Sequence, residues 1–360
     1  MSVLRSRRNS AVELLRILFS IGICVLHYNN VVIGGAFLYA EDGSVNQKYL
    51  LFSESFFIAA VNVFIMISGF YSAKALRTRI LKIPELLIQT SLFALMFYLA
   101  DVLTGSDQWS LRQALVHLLP NHYFVILYSA LSLTAPFLNA GLREIRRHGR
   151  SLRALTVLLL ILFSAEPFLV DVFDRFTAGS YSVLSTIGRE GSQDGYTIVN
   201  FMLVYILGAS MNLLEIRISR KLCAAGSLAG ILLLWILSLQ NSVVWHYENP
   251  LIILISALLV SFATQSSFSS RAVNELSGAC FTCFLFHAWF FRFLRIDLAV
   301  RGSLFGLIAH QLVTCTLLFL LSFAAWKLWS LLWRGAVRVF RLEPACRKAE
   351  KMLYGGLRDE

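Results

Sequence analysis

Apolar stretches about as long as a membrane-crossing helix recur along the whole 360-residue chain. A helix needs about 20 consecutive apolar residues to cross the hydrocarbon core of a bilayer. Hydrophobic residues make up 57% of the chain and charged residues 15%, whereas roughly a quarter of the residues in a soluble domain are charged. The sequence therefore predicts an all-α polytopic membrane protein with about ten transmembrane helices. The predicted spans are 11–33, 51–73, 81–103, 121–141, 154–172, 196–214, 221–239, 249–266, 277–292 and 303–333.

The distribution of charge predicts how these spans are oriented. A net charge of +11 alone would suit a nucleic-acid-binding protein. The basic residues are instead concentrated in alternate loops, which is the positive-inside pattern of membrane proteins. They cluster in the N-terminal tail, at 74–82, at 143–153, at 217–221 and from Lys327 onward. The pattern predicts cytoplasmic termini, a multi-pass protein of the inner (plasma) membrane in contact with membrane lipid, and no nucleic-acid partner.

One loop and the two ends of the chain complete the topology. The loop after the ninth span carries Arg292, Arg295 and Arg301 on the predicted outer side, against the trend. The first span lacks a small-residue cleavage site and is not predicted to be a signal peptide. The tenth span is long enough to continue along the inner surface through its Trp-rich end. We expect one membrane-embedded domain over 1–360, with a core at about 11–333 and a basic cytoplasmic tail at 334–360.

The first span carries three ionisable residues, Glu13, Arg16 and His27. Each costs roughly 2.5–3.5 kcal/mol in the membrane interior on insertion scales, so their presence indicates a use. Eleven residues at 100° each turn a helix about 20° beyond three full turns, which puts Arg16 and His27 on one face about 16 Å apart. Glu13 lies one turn before Arg16 on that face. The structural alternative is a Glu13–Arg16 pair near the interface and a hydrogen-bonded histidine in the bundle.

The cysteines do not predict a metal site. The "CFTC" segment at 280–283 lacks the second pair of ligands that a zinc site requires. We expect the cysteines to be small apolar packing residues.

Four separated segments together resemble the integral-membrane acyltransferase-3 family, in particular its polysaccharide and O-antigen O-acetylases. The first is "ELLRI…LHY", with an arginine, ten residues and a histidine; the second is "VNVFIMISGFYSAK", which is similar to the "FF-x-LSGF" segment of the family. The third is "NHYFVILYSALSLTAPFLN", with an aromatic pair and "PFLN". The fourth is "SGACFTCFLFHAWF", in which Phe281 or Phe284 stands where the family has a tyrosine. The segments occur in the family's order from about residue 11 to 330.

The resemblance implies transfer of an acetyl or other short acyl group from acyl-CoA to a hydroxyl of a cell-envelope polysaccharide or its lipid-linked precursor. Acetyl-CoA would be a co-substrate, and no bound cofactor is expected. An alcohol needs a base to remove its proton during attack, and histidine can take and return a proton near neutral pH. His27 is the predicted general base. The resemblance implies that Arg16 and His287 share the catalytic site with it.

The remaining candidates concern binding of the two substrates. The predicted acyl-donor site comprises Ser68, Gly69, Lys74, Arg77, Arg79 and Lys82, because phosphates favour clustered basic groups. Topology alone also demands basic residues in an inner loop, and glycines are common where membrane helices touch. Glu13, Tyr123 and Phe124 are the predicted acceptor-side residues. Tyr123 and Phe124 would also suit an interfacial aromatic belt.

A transporter or flippase for a lipid-linked glycan precursor is the alternative function, since intramembrane charges suit both classes. Transporters often contain internal repeats, and no repeat relates the two halves of this chain. A purely structural membrane subunit would not explain why polar residues recur at Arg16, His27 and His287.

Overall fold

The computed structural model describes residues 8–120, 122–177 and 197–357, and every regular element within them is helical. Nine of the described helical stretches are long and apolar enough to cross a membrane, and a tenth, Ile198–Leu213, is shorter. Parts of the two predicted tails, at 1–7 and 358–360, and the first residues of the predicted spans 121–141 and 196–214 lie outside the described residues. The all-α polytopic prediction is confirmed. In chain order the stretches are α1 (Ser10–Asn29), α2 (Val45–Ser72), α3 (Lys82–Leu103), α4 (Tyr123–Arg146), α5 (Arg150–Phe173), α6 (Ile198–Leu213), α7 (Arg220–Ser238), α8 (Ser242–Thr264), α9 (Arg271–Phe293) and α10 (Leu304–Val339).

The short helix α6 belongs to the bundle. It has 16 residues, which gives a length of about 24 Å. Its side chains are mostly buried, and its backbone approaches that of α2 closely, where a Cβ on Gly69 would meet the Tyr205 carbonyl oxygen. Arg8 and Arg334, near the two ends of the described chain, line the same cavity. Both ends therefore lie on one face of the bundle, and this requires an even number of crossings that includes α6.

Helix α1 is the centre of the bundle. One apolar cluster packs it against α2, α6 and α8, and a second packs it against α9 and α10. Asn9 caps its first turn by accepting a bond from the Ala11 N–H at 3.0 Å. The helix ends at Asn29, four residues before the predicted end of the span, because the Gly34 N–H turns back to donate to the His27 carbonyl at 2.9 Å. His27 is therefore held in the last turn of a largely buried helix.

The arginines that run against the charge trend lie at the end of α9 and in the segment that follows it. Arg292 pairs with Asp101 at 2.6 Å and so ties α9 to α3. Arg295 pairs with Asp297 at 3.0 Å, and this hydrogen bond lowers the pKa of the Asp297 carboxyl. Two of the three exceptional arginines thus form ion pairs there.

The C-terminal segment folds back onto the bundle. Helix α10 continues as one helix to Val339, and a further helix, α11 (Leu342–Tyr354), follows it. Tyr354 is fully buried and donates a hydrogen bond to the Leu133 carbonyl at 3.0 Å. Glu350 accepts a bond from the Ile80 N–H at 2.8 Å. The predicted tail, as far as it is described, therefore packs against α4 and the loop between α2 and α3.

Candidate active site

Two histidines from distant parts of the chain meet beside α1. His27 Nδ1 lies 2.6 Å from His287 Nε2. The two rings are stacked, with centroids 4.7 Å apart. His287 is fully buried on α9, and its Nδ1 lies 2.6 Å from the carbonyl oxygen of Cys283, one turn earlier. The family resemblance implied that the two histidines share one site, and the structure brings them into direct contact.

The hydrogen-bond partners define where the protons lie on this pair. A carbonyl only accepts, so His287 Nδ1 carries a proton and donates it to Cys283. In a neutral imidazole the other nitrogen is then an acceptor, and His27 Nδ1–H donates to His287 Nε2. The remaining nitrogen, His27 Nε2, is left with a free lone pair. This is the arrangement that a general base requires, with its tautomer set by a second histidine.

A third histidine, His122, lies close enough to interact electrostatically with both members of the pair. It directly precedes α4, and its ring centroid is 4.5 Å from that of Phe284 in an edge-on contact. Its Nδ1 is buried and has no hydrogen-bond partner among the described residues. Burial lowers the pKa of His122 to about 4, so this ring is neutral at physiological pH. The sequence analysis missed His122, although it adjoins the aromatic pair in "NHYF".

A cavity of about 910 Å³ approaches the histidine pair from the face where the described chain ends lie. Basic side chains of Arg8, Lys82, Lys327 and Arg334 line its wall at that face. Ile23 lines it farther along α1, and His27 lies four residues beyond Ile23, just over one helical turn or about 6 Å along the axis. The positive-inside pattern assigns the basic face to the cytoplasm. The cavity thus leads from the predicted cytoplasmic face towards His27.

Arg16 and Glu13 both line this cavity. Arg16 Nη1 lies 3.5 Å from Glu13 Oε2, so the ion pair of the structural alternative exists, but within the cavity wall. The guanidinium also lies over the Phe64 ring at 5.9 Å. Its buried Nε has no hydrogen-bond partner among the described residues. Arg16 therefore has an N–H available for an acceptor atom inside the cavity.

Two of the six predicted donor-site residues line the cavity, namely Ser68 and Lys82. The Ser68 hydroxyl donates to the Phe64 carbonyl at 3.0 Å and lies 3.1 Å from the Tyr128 hydroxyl. Lys82 pairs with Glu85 at 3.4 Å. Gly69 faces α6 instead, where it allows the close helix contact described above.

The other three predicted donor-site residues, Lys74, Arg77 and Arg79, are exposed on the loop between α2 and α3 and are outside the cavity lining. Arg79 interacts with Glu343 of α11. The pKa of Glu343 is lowered chiefly by its hydrogen bond with Arg347 and further by Arg79. These basic residues share a face with the cavity mouth without forming its wall.

The aromatic pair at the start of α4 is divided between two environments. Phe124 lines the cavity, stacks on Tyr128 with centroids 5.7 Å apart, and lies 5.0 Å from Phe284. Phe281 and Phe284, where the family has a tyrosine, also line the cavity. Tyr123 is 40% exposed and lies beside His122, outside the cavity lining.

The Trp-rich end of α10 forms part of the cavity wall, which was not predicted from the sequence. Trp326, Lys327, Trp333 and Arg334 line the cavity, and Lys327 pairs with Glu275 of α9. The stretch continues α10 as one helix to Val339, on the basic face of the bundle. The spacing of seven residues between Trp326 and Trp333 places both on one helical face, which was the signal available in the sequence.

The cysteines near the histidine pair lie in apolar surroundings. Cys24 Sγ is 3.4 Å from Cys283 Sγ, both are free thiols, and both are buried in the cluster between α1, α9 and α10. Cys24, Cys283 and His287 together have metal-ligating atoms within 4.8 Å of one another. Both His287 ring nitrogens already have hydrogen-bond partners, at His27 and at Cys283. The geometry therefore favours packing cysteines.

Comparison with known proteins gives one family. The model of the acyltransferase-3 family, described as an acyltransferase domain, matches residues 9–327. Neither the curated proteins nor the solved structures gave a significant match. The matched range contains the histidine pair, Arg16 and all of the residues that line the cavity except Arg8, Ser330, Leu331, Trp333 and Arg334. The chain therefore belongs to the acyltransferase-3 family and is a multi-pass membrane acyltransferase.

Proposed function

We propose that this protein transfers an acetyl, or another short acyl group, from acyl-CoA to a hydroxyl of a cell-envelope polysaccharide or its lipid-linked precursor. It would act in the inner membrane. The observation that carries the proposal is the cavity that runs from a basic mouth to Ile23, about one helical turn from His27 of the His27–His287 pair. Its volume of about 910 Å³ is at the large end of the range for small-molecule sites, as a long nucleotide-linked thioester requires.

The proposed donor pose follows from the charges along the cavity. The phosphates of coenzyme A would bind at the mouth, near Lys82, Lys327 and Arg334, since clustered cations favour phosphate. Lys74, Arg77 and Arg79 would add attraction from the neighbouring loop. The pantetheine arm would then extend along the aromatic wall towards His27. Arg16, with its unpartnered Nε, would donate to an amide or phosphate oxygen of the donor.

In the proposed reaction, His27 Nε2 removes the proton from the acceptor hydroxyl as its oxygen forms a bond to the thioester carbonyl carbon. The imidazolium that results keeps its Nδ1–H bond to His287 Nε2. The tetrahedral intermediate then breaks its C–S bond, and the departing CoA sulfur receives the proton from His27 Nε2. The products are the acyl ester and CoA-SH, and His27 returns to its initial state. No resident cofactor is required by this scheme.

A buried polar network fixes the end of α1 next to His27. Asn29 donates to Glu54 at 2.8 Å and accepts from Gln311 at 2.8 Å. Tyr49 donates to Gln311 at 2.6 Å. This network begins two residues after His27, on the side opposite the basic mouth. Asn29 and Gln311 are fully buried, so this network holds the end of α1 that carries His27 against α2 and α10. Phe124 and Tyr123 offer faces on which an acceptor sugar ring would stack.

The test uses the purified full-length protein in lipid nanodiscs with radiolabelled acetyl-CoA. Envelope polysaccharide and lipid-linked glycan are supplied separately as acceptors. We expect label in one glycan fraction as an alkali-labile ester, and equal release of CoA-SH. His117→Gln, a histidine change distant in sequence from the pair, is the matched control and should retain activity. Glycan that moves across the bilayer without gaining label would contradict the proposal and favour a flippase.

A further inference from the structure

Three side chains suited to metal binding converge at the end of the bundle away from the basic cavity mouth. Asp171 lies near the end of α5, and His246 and Glu248 lie between a short turn of 3-10 helix, Ser242–Trp245, and Pro250. His246 Nδ1 is 2.9 Å from Asp171 Oδ2 and 3.5 Å from Glu248 Oε1. One ligating atom from each residue lies within 4.8 Å of the others. The cluster is separate from the acyl-transfer site.

Glu248 distinguishes this cluster from an ordinary ion pair. It is 1% exposed, and neither carboxylate oxygen has a hydrogen-bond partner among the described residues. His246 Nδ1 makes its hydrogen bond with Asp171, and a single N–H group aligns well with only one acceptor. The Glu248 carboxylate lies 3.5 Å from the His246 ring, and an ionised carboxylate that is buried with so little compensation costs several kcal/mol. A divalent cation would neutralise the charge of both carboxylates, Asp171 and Glu248.

The distances fit coordination by one imidazole and two carboxylates. Zinc bonds of about 2.0–2.1 Å in a tetrahedron place neighbouring ligand atoms about 3.3 Å apart, and the two contacts of His246 Nδ1 bracket that value. The side chains of Asp171 and His246 are each 20% exposed, which leaves an approach for the ion and for a water ligand. Imidazole suits zinc, whereas calcium and magnesium prefer oxygen ligands alone.

We propose that Asp171, His246 and Glu248 form a Zn²⁺ site that joins the end of α5 to the first residues of α8. That segment is itself bonded to α2. The Trp245 indole donates to the Ser55 hydroxyl at 3.1 Å, and Asn62 donates to the Tyr247 carbonyl at 2.7 Å. The ion would thereby fix α5 to the helices around α1, and the site would be structural.

The experiment uses full-length protein purified in detergent without a polyhistidine tag. The protein is treated with chelator and titrated with ZnCl₂ or MgCl₂, and bound metal and thermal unfolding are measured. We expect one Zn²⁺ per chain and a rise in Tm with Zn²⁺, and neither with Mg²⁺. Loss of a group that only orients a ligand weakens metal binding about 10–100-fold, so Glu248→Gln and Asp171→Asn should each weaken Zn²⁺ binding by at least that factor. Asp107→Asn, an exposed aspartate elsewhere, is the control and should bind as the wild type.

Wild-type protein that binds no Zn²⁺ and shows no Zn²⁺-dependent Tm would overturn the proposal. So would Zn²⁺ binding that is equal in both variants and the wild type. If Glu248→Gln fails to yield a monodisperse protein, Asp171→Asn and the wild-type titration still decide the question. A lower Tm in either variant, together with a wild-type Tm that does not change with Zn²⁺, would identify the cluster as an ion pair only.

Discussion

Replacing His287 isolates the step that the His27–His287 contact is proposed to serve. His287→Phe keeps an aromatic ring in this buried position but removes the acceptor that lies 2.6 Å from His27 Nδ1. In the transition state that bond would run from an imidazolium, and a hydrogen bond to a charged group contributes about 1.5–3 kcal/mol. Each 1.36 kcal/mol is a factor of ten in rate. We therefore expect kcat to fall roughly 10- to 150-fold.

The KM for acetyl-CoA should change little in this variant, because neither histidine lines the donor cavity. His287→Gln, which retains an acceptor oxygen, should recover part of the lost rate. The assay measures initial rates of ester formation against acetyl-CoA concentration at saturating acceptor. Equal Tm values for the two variants establish that the fold is intact.

A double-mutant cycle with His27→Gln provides the decisive comparison. If His287 acts through His27, His287→Phe should cost little in the His27→Gln background, since residues that act as a unit are strongly non-additive. A full additional loss in that background would refute the positioning role and indicate that His287 contributes independently of His27.

Two further predictions concern donor binding and pH. Lys82→Ala with Arg334→Ala should raise the KM for acetyl-CoA more than it lowers kcat, and more than the charge-matched pair Arg77→Ala with Arg79→Ala does, because only the first two residues line the cavity. A larger rise in KM for the second pair would indicate that the donor phosphates bind at the loop between α2 and α3. For His122, burial lowers the pKa to about 4 from an ordinary 6.5, so the unfolded chain takes up this proton first as pH falls. Its contribution to stability, up to about 3 kcal/mol, is complete above about pH 6.5 and is lost as pH falls towards 4. His122→Phe should therefore flatten the fall of Tm between about pH 7 and pH 4.5, and an unchanged pH profile would contradict the burial argument.

Hydropathy predicts most of the fold because a membrane helix needs a long apolar stretch whatever its neighbours are. The predicted span 81–103 agrees with Lys82–Leu103 almost to the residue. The prediction fails where apolar residues leave the helix. Val31, Val32 and Ile33 extend the apolar run beyond Asn29, but the chain turns there and the Gly34 N–H bonds back to His27. Composition shows the apolar run but does not show where the chain turns.

The sequence predicted the residues of the site better than it predicted the contacts between them. Helical geometry placed Glu13, Arg16 and His27 on one face, and both charged residues do line one cavity. The partner of His27 is 260 residues away, and no periodicity within one helix can specify that pairing. Lys327 and Trp326 were missed for a related reason. Near a predicted inner surface, basic and tryptophan residues are expected from topology alone, which masks any role in binding.

The catalytic role of His27 is the central claim, and His27→Gln tests it most directly. Glutamine retains hydrogen-bonding capacity and approximate size but cannot act as a base near neutral pH. The measurement is single-turnover transfer from acetyl-CoA to the glycan acceptor, with acetyl-CoA binding determined on the same preparation. We predict unchanged donor binding and transfer that is slower by roughly 10²–10⁴-fold, the usual contribution of a positioned acid-base group. Transfer at the wild-type rate by a well-folded His27→Gln protein would contradict the account and would make His287 the leading candidate base.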